Sequence, residues 1–90
     1  MNLEEKVKKA QKGDDNAFYE LISEKKEVLY KLAYTYVKNK DDALDIIQET
    51  IYKAYMSINK LKEPKFFNTY ITTINERILI QTLPYKIQIS

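Results

Sequence analysis

Apolar residues return at three- and four-residue steps along most of this chain, a period that predicts helices. Leu3, Val7 and Ala10, with Gln11 beside them, form a narrow first stripe. Asn2 precedes it with Glu5 three residues on, the spacing of a capping box, and Gly13 follows it where a left-handed residue ends a helix. Asp14 or Asp15 caps the next segment, in which Ala17, Phe18, Leu21 and Ile22 recur at helical spacing. Residues 23–26 are polar and read either as a bend or as continuous helix. Val28, Leu29, Leu32, Ala33, Tyr36 and Val37 then make the wide stripe of a helix packed in a bundle. Asn39 is both a stop and a cap.

A third helix is predicted over about residues 40–58, with Ala43, Leu44, Ile47, Ile51, Ala54, Tyr55 and Ile58 facing inward. Residues 59–65 read as a connection, because Pro64 disfavours helix at Glu63. Phe66, Phe67, Tyr70, Ile71 and Ile74 open another helical pattern. From about Asn75 the pattern weakens. Ile78, Leu79 and Ile80 are consecutive, Pro84 should break a helix, and residues 85–89 alternate like a strand. The expected fold class is all-α, a compact bundle of about four helices in one domain. Tyr30, Tyr34, Tyr52 and Tyr55 are expected at helix interfaces.

Composition narrows the chemistry. Ninety residues with a net charge of +2 make a single small core, and bulk charge does not point to nucleic acid. Any electrostatic signal must come from how the charges are arranged. Asp41, Asp42, Asp45 and Glu49 fall in one helix, with no Lys or Arg between Lys40 and Lys53. Downstream the sign reverses, with Lys53, Lys60, Lys62 and Lys65 set among aromatic rings. The chain has no Cys and no His, and its one Gly is Gly13. Disulfides, the usual metal ligand, the usual general base and a phosphate-cradling glycine loop are therefore missing, and no enzyme activity or cofactor is expected. The four carboxylates sit on a helix rather than in a calcium loop. No apolar run suggests a signal peptide or a membrane span, so a cytoplasmic protein without a membrane partner is expected.

Each charged segment carries two readings. Asp41, Asp45 and Gln48 or Glu49 share one exposed face, which is either a solvated surface or a docking face for a basic partner. In the second segment the lysines can follow phosphates while Phe66, Phe67 and Tyr70 stack on bases and Asn68 and Thr69 bond a base edge. The same rings, at helical spacing, also suit an ordinary core.

At these residues the chain resembles a known family. Asp41-Asp42-Ala43-x-Asp45-Ile46-Ile47-Gln48-Glu49-Thr50, then Ala54-Tyr55, then Phe66-x-x-Thr69-Tyr70-Ile71, is similar to the second conserved region of bacterial RNA polymerase sigma factors. The likeness is to the compact extracytoplasmic-function group, and Gly13-Asp14, Ala17-Phe18 and the run from Leu29 to Tyr36 belong to it. It implies a helical bundle with two faces. Asp41, Asp42, Asp45, Gln48, Glu49 and Tyr52 would bind the clamp helices of the core polymerase beta-prime subunit. Lys60, Lys62, Lys65, Phe66, Asn68, Thr69 and Tyr70 would bind the single-stranded non-template strand of the promoter minus-ten element. An anti-sigma factor is a further implied partner.

On this likeness residues 1–12 are an N-terminal helix, 13–75 the sigma-like domain and 76–90 an atypical tail. Tyr70 stands where the family pattern has Trp, and Thr73 where it has Arg; Arg77-Ile78-Leu79-Ile80 looks like that pattern displaced by four residues. The family's second helical domain, which reads the minus-thirty-five element, is not in these residues, as in a truncated or frameshifted product. Two alternatives follow: a decoy or interaction module that occupies polymerase or an anti-sigma factor without initiating transcription, and a small helical oligomer that covers an apolar tail at Ile78–Ile80, Ile87 and Ile89.

Overall fold

Capping and turn chemistry set the element boundaries. In the computed structural model, which describes the backbone of residues 1–89 and the side chains of residues 1–83, the Asn2 side chain accepts from Glu5 N at 2.9 Å and opens α1 (Leu3–Gln11). Gly13, at φ 99, then makes a paired closure: its N–H donates to Ala10 O, and Asp14 N–H donates to Lys9 O, both at 3.0 Å. Asp14 accepts from Ala17 N and opens α2 (Asp15–Val37), which runs unbroken through residues 23–26. Lys38 takes the left-handed conformation at φ 53, and Asn39 accepts from Asp42 N at 3.0 Å to open α3 (Lys40–Ser57). Each cap is worth about 0.5–2 kcal/mol. Two 3-10 turns, Ile58–Lys60 and Pro64–Phe66, lead into α4 (Phe67–Ile89). No strand occurs among the described residues.

Short connections make consecutive helices neighbours. α2 packs on α1 and α3, and α4 packs on both α2 and α3. One core results, built around Val7 of α1, Leu21 and Leu29 of α2, Ile47 of α3, and Phe67, Ile71 and Ile78 of α4. The 3-10 turn before α4 starts with Pro64, whose missing N–H is no loss at a first helical position.

The inward face of α3 differs from the expected one. Ala43, Ile46, Ile47, Thr50 and Ala54 are buried, whereas Leu44 and Tyr55 are exposed. The helix is wedged between α2 and α4, so its buried arc is centred on Thr50 and Ala54 and the two larger apolar residues fall on the α2 flank. Tyr55 remains useful there, edge-on to Phe18 with its hydroxyl donating to Asp15 at 2.9 Å. Tyr34 and Tyr52 are exposed as well, against the expectation of interface positions, and in α2 Val28 and Tyr36 face solvent.

The C-terminal segment is helical, not a break followed by a strand. Proline at position 84 removes the bond to the Ile80 carbonyl. Ile80 is exposed, so water can satisfy that group. Upstream, Ile71, Ile78 and Leu79 anchor the helix in the core, and each added residue beyond a packed nucleus gains a bond. Two of the three consecutive apolar residues, Ile78 and Leu79, are thus covered by the chain's own core, leaving Ile80 outside. The side chains of Ile87 and Ile89 lie outside the described residues.

Between α3 and α4 a fully buried polar contact joins Thr50 to Asn75. Thr50 Oγ1 lies 2.7 Å from Ile46 O and 3.0 Å from Asn75 Oδ1, so a single hydroxyl proton is shared by two acceptors. Asn75 Nδ2 is buried and has no hydrogen-bond partner.

Two stability predictions follow from this packing. Phe67 is 0% exposed and Phe66 is 52% exposed. Phe67→Ala should lower the unfolding free energy by about 3–5 kcal/mol in urea titration, while Phe66→Ala should change it by less than about 0.5 kcal/mol. At the polar contact, Thr50→Val alone should cost about 1–3 kcal/mol by leaving the Asn75 amide wholly unbonded. Adding Asn75→Leu should recover that loss, because the apolar pair of similar shape leaves no buried donor; a further drop in the double variant would count against this account.

Candidate functional site

Because α3 is buried along one side, its opposite side is a single exposed strip. Asp41, Asp45, Gln48, Glu49 and Tyr52 are exposed on it, and Asp42 is half-buried at its edge. At about 100° per residue, Asp41, Asp45, Gln48 and Tyr52 lie nearly in line, with Asp42 and Glu49 displaced to one side. The carboxylates of the first turn sit where the helix dipole favours anions. Met56, 63% exposed, extends the line beyond Tyr52 at the next four-residue step. The reading from sequence omitted it, although the spacing was there to be seen.

The acidic strip is partly compensated. Lys53 Nζ lies 3.4 Å from Glu49 Oε1, one helical turn back. Lys53 therefore belongs to the acidic ridge and not to the downstream basic group in which its sign had placed it. Asp41, Asp42, Asp45 and Glu49 do not converge, and no group of three or more metal-ligating side chains forms among the described residues.

At the foot of the ridge the chain turns through the two 3-10 segments. Leu61 tucks against the core between them, and Lys60, Lys62, Lys65 and Phe66 remain exposed. Lys65 Nζ sits 5.2 Å from the centre of the Phe66 ring, a cation–π contact that holds a positive charge over an open aromatic face. Asn68 and Thr69 are exposed on the first turn of α4, where they line a shallow polar groove of about 280 Å³ with Thr72, Thr73 and Glu76. A residue absent from the expected set fixes this turn from α1. Gln11 donates from Nε2 to Ile58 O at 2.9 Å and to Leu61 O at 2.8 Å. Only the fold reveals this role, since the partners are 47 and 50 residues away.

Tyr70 stands apart from the exposed group. Its ring is half-buried, packed beside Phe67 at 6.1 Å, and its hydroxyl bonds Ser57 Oγ and lies 3.4 Å from Ala54 O at the end of α3. Burial pushes its phenol above the ordinary 10.0, partly offset by the Ser57 hydrogen bond.

The bundle thus carries an acidic ridge on one helix and a lysine-aromatic turn at its foot. The chain matches the family model for sigma-70 region 2 over residues 21–83. It belongs to that family. It is 42% identical over 62 residues to RNA polymerase sigma factor SigV of Bacillus subtilis (strain 168), a match covering 69% of this chain and 37% of the relative. It is 29% identical over 86 residues to the ECF RNA polymerase sigma factor SigW of the same organism, covering 96% of this chain and 46% of the relative. The chain thus spans less than half the length of these relatives. The likeness read from residues 41–50 and 66–71 is therefore that of an extracytoplasmic-function-type second region. No solved structure matches the chain. No helix of the described residues is long and apolar enough to cross a membrane.

The state of Tyr70 can be read in alkali. The folded protein holds the phenolic proton more tightly than the unfolded chain does. Its contribution is complete below the unfolded value of about 10 and is lost as pH rises through the folded value. Lys6, raised mainly by its hydrogen bond to Glu24, acts in the same direction. Urea midpoints measured from pH 8 to 11 should fall at the alkaline end, and Tyr70→Phe, which has no phenolic proton, should fall less steeply (roughly the range set by ordinary Tyr and Lys values). Parallel curves would remove Tyr70 from the explanation.

Proposed function

We propose that this chain is a sigma-factor domain that docks on core RNA polymerase and engages single-stranded promoter DNA. The observation that carries this reading is the separation of charge along one rigid helix and the turn that follows it. The ridge of Asp41, Asp42, Asp45, Gln48, Glu49 and Tyr52 faces the beta-prime clamp helices, with Met56 extending the contact as an apolar foot. Carboxylates held on a preformed helix meet a basic surface with little ordering cost, which favours charge-steered docking.

The turn faces the non-template strand of the minus-ten element. Lys60, Lys62 and Lys65 follow phosphates, Phe66 offers the stacking surface, and Asn68 and Thr69 reach a base edge. Stacking on an exposed ring is worth about 1–3 kcal/mol per base, enough to offset much of the few kcal/mol that extruding a base costs. Tyr70 acts from behind, holding the start of α4 against Ser57, and does not stack on a base itself. An anti-sigma factor would act by covering either face.

Reversing charge on the ridge separates docking from folding. Asp45→Lys combined with Glu49→Lys should retain the helical circular-dichroism spectrum and lose at least about tenfold in affinity for core polymerase at moderate salt, the scale of losing desolvated charge contacts. Unchanged affinity would rule out the ridge as the docking face.

A further inference from the structure

Helix α1 precedes the stretch matched by the family model, which starts at residue 21. The fold nevertheless sets it against the lysine-aromatic turn: α1 packs on both 3-10 segments as well as on α2. Gln11 is the tie. Both protons of its amide nitrogen are used, one on Ile58 O and one on Leu61 O, so the turn is held from α1 by two bonds of 2.9 and 2.8 Å. Helix and turn form one continuous surface.

The sides of α1 can be assigned from what its residues touch. Lys6 reaches Glu24 at 2.7 Å and Glu20 at 3.7 Å on α2, so it marks the α2 side. Gln11 marks the side of the turn. At about 100° per residue, Lys8 lies about 60° beyond Gln11 and about 160° from Lys6, and Lys12 caps the helix directly after Gln11. Lys12 also lines the same crevice as Asn59, the residue before Lys60. Lys8 and Lys12 are exposed. Lys6, Lys31 and Lys53 have carboxylate partners within 4.0 Å, whereas Lys8 and Lys12 make no salt bridge among the described residues.

We propose that α1 is part of the strand-binding surface, with Lys8 and Lys12 contacting phosphates next to those held by Lys60 and Lys62, and Gln11 keeping the two segments in register. This rests on the turn being a DNA-binding element. The chemistry required of the ligand is a run of regularly spaced backbone phosphates, which a single DNA strand supplies whatever its bases. The contribution of α1 is therefore to affinity and salt dependence, not to sequence preference.

The test is the affinity of the whole chain for a fluorescein-labelled single-stranded oligodeoxynucleotide of mixed sequence, titrated across a range of salt. Lys8→Gln with Lys12→Gln should lower the slope of log affinity against log salt by about 1.4, since each phosphate contact on a single strand contributes about 0.7. The control is Lys26→Gln with Lys31→Gln, which removes the same charge from α2. Lys26 lines a groove with Leu44 near the start of α3, and the turn begins at Ile58, about 21 Å further along that helix. The control should leave the slope unchanged. If the α1 variant behaves like the control while Lys60→Gln with Lys62→Gln lowers the slope, α1 is not in the surface and the turn still is. If none of the three variants changes the slope, the DNA-binding reading of the turn fails, and the α1 proposal with it.

Discussion

Helix α3 is gripped by α2 on one flank and α4 on the other, and this confinement decides where everything else can go. A helix packed on two sides has only one strip left for water, so its charged residues must share that strip. The buried arc runs through Ala43, Ile46, Ile47, Thr50 and Ala54. Small residues at Ala43 and Ala54 let the neighbours approach closely, and the exposed strip is then rigidly oriented with respect to the core. The acidic ridge owes its straightness to the packing behind it.

The same packing orients the turn that follows. Ile58 and Phe67, both buried, pin the ends of the connection, and Leu61 packs against the core between them. Lys60, Lys62 and Lys65 are left outside because the residues between them are held in. Gln11 completes the arrangement with bonds that no local sequence rule would supply. A segment with no regular ladder of hydrogen bonds is given a defined shape by a few side chains from elsewhere.

Much of this was legible before the fold was known. Asn2, Asp14 and Asn39 cap the helices that follow them, and Gly13 and Pro64 mark the corners, because each acts through backbone chemistry within three or four residues. The ridge was legible for a related reason, since carboxylates at helical spacing share a face wherever the helix packs. Rotation of α3 was not legible. Leu44 and Tyr55 are more apolar or larger than Thr50, and only the position of α4, with Asn75 waiting for a hydroxyl, makes Thr50 the inward residue. Pro84 misled because a local rule about backbone bonds was outweighed by the anchoring of α4 upstream. Lys53 misled because its sign was read without its partner, Glu49, one turn away.

The crowding of Lys60, Lys62 and Lys65 into six positions, relieved only by Glu63 among them, has a cost for the free protein. Like charges held close by a fixed turn repel one another, and the folded state bears that repulsion more than an extended chain would. A polyanion laid across the turn removes it. On the proposed DNA-binding reading, occupancy and folding are then linked, and the ligand would return some of the stability that the crowded lysines withhold.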